Sequence, residues 1–530
     1  MPKRIPVIFL GVFMIFLFSC CRNRDAELSQ RTILKIGTIK QGLKSANILT
    51  DYFINLFAQI SNPSLMKMTQ QGQPEGLIVK EFRISDDKTT WMFFLDENLF
   101  WSDGKKVTAH DAKFSIELYA KEVPFAAWLK QALVQVQVSE DNTLVLRLNR
   151  PYTRLHFDFA SYSLFPEHIW GSIENPLEYS NLGENVGCGP FTIESIDIIA
   201  AKISFKRNPY WQRKEPYIQR IEVHFYNNMD VLSMALEKGE VDTFYSYASS
   251  YPYVNIQRLK ATGRFDFIEE QNLGLKFLGF NLNKEPMSDV NFRNALSYAL
   301  DYEEIIKLDA LGYGEVPHRG FIPRAMAGYK ETRKLEYDID RAKKILHQSG
   351  YQDRDSNGFL EDRKGKDIHL SVLISPLYVR ISELIRDYLV AIGLDARLKV
   401  VDPNTWISLK DDFQYDLVVS RTTPWGMFMH ANWATGYFDV RRSGEGVLHN
   451  VDDPEFLKLC DSILATTDEA ELGVYAQKVQ DYYAQVLPAI PLGWTRIVIP
   501  YHKKYTGWIS SPLYGIFNID NFLSLKPSSS

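Results

Sequence analysis

Residues 368–400, IHLSVLISPLYVRISELIRDYLVAIGLDARLKV, decide the fold class of this chain. The apolar run at 368–374 predicts a strand, apolar residues at helical spacing over 381–392 predict a helix, and alternation over 394–400 predicts a second strand. A short apolar run at 415–419 predicts a third strand that is fully buried. Strand–helix–strand order is typical of right-handed crossovers in a mostly parallel sheet, so we predict an α/β fold.

Periodicity in the first half of the chain predicts further elements of such a fold. Ile33–Ile39 alternates as a strand, and residues 77–101 divide into two strands around a polar turn. Thr108 is a candidate N-cap for the helix that follows it. Val134–Val138 and Thr143–Leu148 form a hairpin pattern.

The segment after the predicted buried strand is the best candidate for a binding loop. Residues 420–430 read SRTTPWGMFMH, which is aromatic, cationic and rich in methionine. In open α/β sheets, ligands bind beyond the carboxyl ends of the strands. The alternative is a loop whose aromatic residues simply pack between lobes.

The N-terminal stretch MPKRIPVIFLGVFMIFLFSCC predicts where the protein works. Two cations precede an apolar run that ends in Leu-Phe-Ser-Cys at Cys20. This resembles a bacterial lipoprotein signal, in which the cysteine receives the lipid. We therefore expect a signal peptide at 1–19, a tether at 20–30 and a lipid-anchored protein at an extracytoplasmic face of the cell envelope. A plain N-terminal anchor helix is the alternative.

Composition restricts the class of function. The 530 residues carry 60 Lys and Arg against 65 Asp and Glu, a net charge of −5, which gives no electrostatic case for nucleic acid. The chain is long enough for two or more lobes, and its 45% hydrophobic content allows large cores. Beyond Cys20 and Cys21, the cysteines are Cys188 and Cys460, which could pair but are more simply two isolated buried thiols.

Motifs of catalysis are missing from the sequence. It contains no HExxH, no GxSxG and no Walker loop. Cys188 lies between glycines and before a proline, which is typical of a tight turn rather than of a nucleophile. The sequence therefore gives no case for a cofactor, and a secreted hydrolase is only a remote alternative.

Several phrases resemble, in order, the peptide/nickel class of extracytoplasmic solute-binding proteins of ABC importers. The resemblance spans about residues 75–420, and Cys188 stands where a small threonine is usual. The phrases are Phe100–Gly104, Thr108–Ala112, Val186–Phe191, Arg207–Trp211, Gly239–Asp242, Phe280-Asn281, Phe292–Asp301 and Tyr337-Asp338.

The resemblance implies a two-lobed periplasmic-binding-protein-like fold of the class II, cluster C type, which closes on its ligand. Lobe one would comprise 30–283 and 487–530, with an extra subdomain near 65–185, and lobe two would be 284–486. The hinge would lie at the chain crossings near Phe280-Asn281 and Leu487-Pro488. The implied partners are an ABC permease and its ATPase subunits, and the protein is expected to be a monomer.

The resemblance also guides the choice of ligand. Peptide-binding members hold the peptide ammonium with an aspartate in the loop after the buried strand, but residues 421–433, RTTPWGMFMHANW, contain no acid. The loop is instead similar to that of nickel-complex binders, where Arg-Thr precedes Trp-Gly and an aromatic residue. A metal–chelator complex is therefore favoured, and a short peptide is the alternative. The predicted cleft residues are Trp128, Arg421, Trp425, Phe428 and His430.

Each of these residues has a chemical role to offer. Trp128 and Trp425 supply flat apolar walls, and Arg421 can hold a carboxylate with a bidentate fork. His430 could ligate Ni²⁺ or Cu²⁺ or donate a hydrogen bond, although a packed or surface histidine is the simpler interpretation. Two features of the nickel-complex binders are missing from this sequence: an arginine in the stretch that matches residues 161–165, and Tyr-Asp-Pro-His after Trp-Gly. The ligand specificity is therefore open to a third class.

A polar segment at 353–358, DRDSNG, resembles the first half of a calcium loop. Its twelfth position is Lys364, where a bidentate glutamate would be required. We interpret it as a polar turn.

Overall fold

The computed structural model describes residues 32–39, 47–50, 56–70, 72–123, 126–139, 142–180, 183, 185–272, 274–324, 328–422, 438–441, 448, 450–511 and 514–528. The described strands are β1 (Ile33–Ile39), β2 (Met66–Met68), β3 (Pro74–Gly76), β4 (Val79–Ile84), β5 (Thr90–Leu95), β6 (Leu133–Ser139), β7 (Thr143–Leu148), β8 (Phe191–Asp197), β9 (Lys202–Arg207), β10 (Arg220–Tyr226), β11 (Thr243–Phe244), β12 (Phe265–Gln271), β13 (Lys276–Phe280), β14 (Gly314–Glu315), β15 (His369–Ile374), β16 (Asp395–Val400), β17 (Leu417–Arg421), β18 (Ala489–His502), β19 (Tyr505–Thr506) and β20 (Lys526–Pro527).

The described helices are α1 (Ala109–Glu122), α2 (Ala127–Ala132), α3 (Leu155–Asp158), α4 (Glu167–Trp170), α5 (Met229–Lys238), α6 (Tyr253–Ala261), α7 (Val290–Ala299), α8 (Tyr302–Ala310), α9 (Ile339–Gln348), α10 (Val379–Ala391), α11 (Pro403–Asp411), α12 (Pro454–Ala465), α13 (Glu469–Val486) and α14 (Ile519–Ser524). Among them, none is long and apolar enough to span a bilayer.

One large sheet runs through the molecule. Its strand order is β16-β15-β17-β13-β18-β11-β1-β10-β9-β8, and β12 and β14 also pair with β18. Strand β18 pairs with β13 over Ala489–Gly493 and with β12 over Arg496–His502. A single long strand is therefore shared by the two halves of the sheet.

The fold-deciding stretch forms the predicted elements. β15 is parallel to both β16 and β17, and α10 connects β15 to β16. Gly393 has φ +86° directly after this helix, a conformation that glycine adopts without strain. The sheet as a whole is mixed rather than mostly parallel, because β13 and β18 run antiparallel to their neighbours.

The predicted buried strand is displaced along the chain. It begins at Leu417 instead of Tyr415 and continues to Arg421, two residues beyond the predicted end. Ser420 and Arg421 are polar, so the apolar pattern does not include them. They belong to the strand because their backbone pairs with β13 as far as Lys276.

The predicted elements of the first half are confirmed. Strand β1 has the predicted bounds, and β4 and β5 flank the polar turn. The Asp111 carboxylate accepts a hydrogen bond from the Thr108 backbone N–H at 2.9 Å, which closes a capping box at the start of α1. Strands β6 and β7 form the predicted hairpin within a second, 4-stranded sheet, β4-β5-β7-β6.

The Val186–Phe191 turn requires its glycines for close backbone packing. A Cβ atom on Gly189 would lie 2.1 Å from the Ile60 carbonyl oxygen, and one on Gly187 would lie 2.3 Å from that of Ser61. Asn208 Nδ2 donates to the Gly189 carbonyl at 2.8 Å. The phrases Val186–Phe191 and Arg207–Trp211 therefore meet each other and the distant backbone of Ile60 and Ser61 in one junction.

Candidate functional site

Strand β17 ends on a cation at the boundary between the two halves of the sheet. Its residues Leu417–Ser420 are buried, and Arg421 is half-buried. Arg421 Nη1–H donates to Ser249 Oγ at 3.3 Å. Ser249 follows β11, which lies on the opposite side of β18 from β13 and β17. This hydrogen bond therefore joins the two halves of the large sheet that flank β18.

The described neighbours of Arg421 supply no carboxylate to its guanidinium. Lys276 is opposite Arg421 in the β13–β17 ladder, and Lys276 Nζ lies 2.5 and 2.6 Å from the two carboxylate oxygens of Asp309. Burial raises the pKa of Tyr378, an effect that the Arg421 cation opposes, so the phenol is neutral at physiological pH. Within the described residues, the Arg421 guanidinium contacts no carboxylate.

Backbone contacts fix the direction in which the chain leaves β17. Thr422 N–H donates to the Leu275 carbonyl at 2.8 Å, and Leu275 N–H donates to Thr422 Oγ1 at 2.9 Å. A Cβ atom on Gly274 would lie 2.3 Å from the Thr422 carbonyl oxygen, so this approach requires glycine. The predicted binding loop therefore starts after Thr422, whose position is fixed by two hydrogen bonds to the Leu275 backbone.

Trp128 lies in an aromatic cluster. Its indole Nε1–H donates to Tyr162 Oη at 3.2 Å, and its ring stacks on Tyr152 with centroids 4.9 Å apart. Tyr152 Oη–H in turn donates to Asp158 Oδ2 at 2.7 Å. The side chain of Trp128 is half-buried, and these contacts do not bring it to Arg421.

The other predicted site residues lie outside the described residues. They are Trp425, Phe428, His430 and the lipidation residue Cys20. Their roles stay predictions. Arg441, on the described segment 438–441 beyond this loop, is held by Asp439 and Asp461, and its hydrogen bonds to Asp439 are the first cause of its raised pKa.

A second contact joins parts of the chain that are far apart in sequence. Thr153 Oγ1 donates to the Thr466 carbonyl at 2.7 Å, and Thr153 N–H donates to the Leu464 carbonyl at 2.9 Å. Arg154 donates through Nη2 to the Thr466 carbonyl at 3.2 Å and through Nη1 to Glu469 at 3.3 Å. Thr153 and Arg154 are buried. We call this group the Arg154 contact.

The polar turn at 353–367 gathers three carboxylates. Oxygens of Asp355, Glu361 and Asp367 lie within 4.8 Å of one another. Arg354 Nη1 donates to Glu361 Oε2 at 3.0 Å and supplies positive charge to the same group. This arrangement agrees with the interpretation as a polar turn.

The two described cysteines lie in the interior. Cys188 and Cys460 are buried and form no disulfide within the described residues, as the simpler of the two sequence interpretations predicts. Burial raises the pKa of the Cys188 thiol, so it is protonated and a poor nucleophile.

Comparison with known proteins decides the family. The sequence model of the bacterial extracellular solute-binding proteins, family 5, middle region, matches residues 73–443. The chain belongs to this solute-binding family. The prediction of a binding protein rather than an enzyme is thereby confirmed, as is the resemblance noted in the sequence.

Relatives of this solute-binding protein cover most of its length. The oligopeptide-binding protein OppA of Bacillus subtilis is 23% identical over 452 residues, covering 81% of each chain. The nickel-binding periplasmic protein of Escherichia coli is 21% identical over 458 residues, covering 84% of each. The crystal structure of NikA from Brucella suis with Fe(III)-EDTA superimposes with a TM-score of 0.80 at 17% identity, covering 93% of this chain and 100% of that one. The two-lobed fold predicted from the sequence is confirmed.

Sequence reasoning missed the partners of Arg421 in this solute-binding protein. Ser249 belongs to the hydroxyl-rich run Ser246–Ser250, and the position of that run directly after a short strand is the one local signal that could have indicated it. The neutralisation of Lys276 by Asp309 has no local signal, because the two residues come from a strand and a helix that meet only in the folded chain.

Proposed function

We propose that the protein is the ligand-capturing subunit of an ABC importer, anchored through lipid on Cys20 at an extracytoplasmic face. Its cargo is a small carboxylate-bearing ligand that it delivers to the permease. A complex of a transition metal with a small chelator is the favoured cargo, and a short peptide is the second candidate. The metal arrives with the cargo, so the protein needs no resident cofactor.

The observation that carries this proposal is Arg421 at the carboxyl end of β17, which contacts no carboxylate in the part of the chain that the structure describes. A guanidinium whose described partner is a neutral hydroxyl can donate to a ligand carboxylate in a bidentate pair. Because Ser249 contacts the same guanidinium from the half of the sheet beyond β18, a ligand there would contact both halves. A site between two lobes that close on a ligand requires such contacts from both.

Charge favours the chelate over the peptide. A peptide ammonium needs a free carboxylate, and residues 423–437 contain none. Asp309 is engaged by Lys276, the residue opposite Arg421 on β13. The relatives named above include a nickel-binding and an oligopeptide-binding protein, so the family has room for both cargoes.

Closure is the second part of the proposal. We take lobe one as 30–283 and 487–530 and lobe two as 284–486, with the extra subdomain near 65–185. On this division, the Arg154 contact bridges the subdomain and lobe two. It would hold the lobes together over a bound ligand and exclude water, which strengthens each polar contact inside.

Native mass spectrometry of the purified protein tests the cargo. It would be incubated with nickel or copper, each with histidine or citrate as chelator, and separately with a mixture of di- to pentapeptides. We expect a mass increment equal to metal plus chelator, and none from the peptides. Increments from peptides alone would reverse the order of the two candidates, and increments from neither would contradict the proposal.

Replacing Arg154 with alanine is expected to weaken closure. Hydrogen bonds from a charged group are worth about 1.5–3 kcal/mol, so the bond to the Thr466 carbonyl dominates the loss. The ion pair with Glu469 adds little, because that carboxylate is exposed and solvent screens it. Because only the closed state loses this bond, we expect the ligand to dissociate at least about 10-fold faster. We also expect a larger radius of gyration in solution scattering, since the open state becomes more populated.

Arg150→Ala is the matched control, since Arg150 is exposed four residues earlier in the same segment. Arg154→Ala could instead lower the unfolding temperature and leave both the radius of gyration and the dissociation rate unchanged. The contact would then lie within one rigid unit, and its role in closure would be contradicted.

A further inference from the structure

A buried cation whose hydrogen-bond partners carry no charge lies between β14 and α9. Arg319 is 3% exposed, and it donates from Nη1 to Asn294 Oδ1 at 2.8 Å and from Nη2 to Ser297 Oγ at 2.7 Å. Both partners are neutral. Arg319 Nε is buried and has no hydrogen-bond partner in the part of the chain that the structure describes. A buried charge is costly unless an anion compensates it.

Arg319 lines a cavity of about 580 Å³, a volume suited to a small molecule. Three parts of the chain form its walls: α7, the segment before α9, and the end of α13. The lining residues are Val290, Asn291, Asn294, Arg319, Glu331, Thr332, Arg333, Asp481, Ala484 and Gln485. None of them belongs to the group around Arg421.

Positive charge is concentrated beside this cavity. The guanidinium carbons of Arg319, Arg333 and Arg341 lie 5.4, 5.2 and 4.3 Å from the centroid of the Tyr298 ring. The ring face attracts each cation, but it does not neutralise three of them. Glu336 Oε2 lies 3.9 Å from Arg341 Nη1, and its charge also acts on Arg319, so one carboxylate serves three guanidinium groups. An anion in the cavity would offset the remaining positive charge.

One of the two acids of the cavity wall is paired with a cation, because Lys330 Nζ lies 2.6 Å from Asp481 Oδ2. The other, Glu331, has its Oε1 3.8 Å from His318 Nε2, and that nitrogen accepts a hydrogen bond from Arg324 Nη2 at 3.3 Å. Thr332 Oγ1 is buried and, within the described ranges, has no hydrogen-bond partner. The cavity therefore presents a hydroxyl and two guanidinium groups that can serve a ligand.

We propose that this cavity binds a small molecule through a phosphate or carboxylate group held by Arg319, Arg333 and Thr332. The oxyanion would place negative charge directly beside Arg319 and accept a hydrogen bond from the Thr332 hydroxyl. The site is separate from the proposed cargo site and does not depend on the proposed function.

Isothermal titration of the purified protein with inorganic phosphate and with succinate tests the site and separates the two oxyanion types. Sodium chloride at matched ionic strength is the baseline. We expect saturable binding of one of them, weakened at least about 10-fold by Arg333→Gln and by Arg319→Gln, which corresponds to about 1.4 kcal/mol. Arg386→Gln, on α10 and paired at the surface with Asp387, is the control and should bind as the unchanged protein does.

Arg333 is exposed, so its variant is expected to fold even if the Arg319 variant does not. In that case Arg333→Gln and Thr332→Val carry the test. The proposal is overturned if neither anion binds above the chloride baseline, or if affinity is unchanged in the folded variants.

Discussion

Replacing Arg421 with alanine is expected to weaken cargo binding by at least about 30-fold. Removing one partner of a buried charge pair costs about 2–5 kcal/mol, because the other charge is left unpaired. The fold should tolerate the change, since Arg421 makes a single side-chain hydrogen bond within the described residues, to Ser249 at 3.3 Å. Calorimetric titration with the cargo captured by native mass spectrometry measures the loss, and thermal unfolding checks the fold.

Two further variants make this prediction specific. Arg421→Lys keeps the charge but loses the bidentate fork, so it should recover only part of the affinity. Arg397→Ala removes an exposed arginine from β16 and should leave binding unchanged. Full affinity in Arg421→Ala would show that the cargo is held elsewhere.

Replacing Arg293 with alanine is expected to destabilise the protein by about 3–5 kcal/mol, the cost of breaking a buried network of charged hydrogen bonds. Arg293 is 4% exposed on α7. Its guanidinium donates to the carbonyls of Met287 at 2.6 Å, of Val486 at 2.6 and 3.1 Å, and of Leu487 at 3.0 Å. Without it, carbonyls at the end of α13 would be buried and unpaired.

The midpoint of urea unfolding, followed by tryptophan fluorescence, measures the loss. Arg386→Ala is the control, because Arg386 pairs on the surface with its neighbour Asp387 and should shift stability by less than about 1 kcal/mol. An unfolding midpoint in Arg293→Ala equal to that of the control would contradict the role of Arg293 as the cap of α13.

Arg293 also illustrates how far a sequence phrase leads. The phrase Phe292–Asp301 indicates the family but says nothing of what its arginine does. The structure explains the residue, because Leu487 ends α13 in a left-handed conformation with φ +49° and precedes a proline. The arginine satisfies carbonyls at the point where the chain enters β18.

Local periodicity by itself determined the α/β class, the β15–α10–β16 unit and the β6–β7 hairpin, and residue type determined the cap at Thr108. Each of these depends on residues that are close together in the sequence. Residue type alone also indicated Arg421 as a cation after a buried strand. Only the tertiary structure decided that β17 extends to Arg421, that Lys276 is neutralised by Asp309, and that Arg421 meets Ser249. Those pairings join residues separated by 33 and 172 positions, and no local pattern records which distant charges and hydroxyls folding brings together.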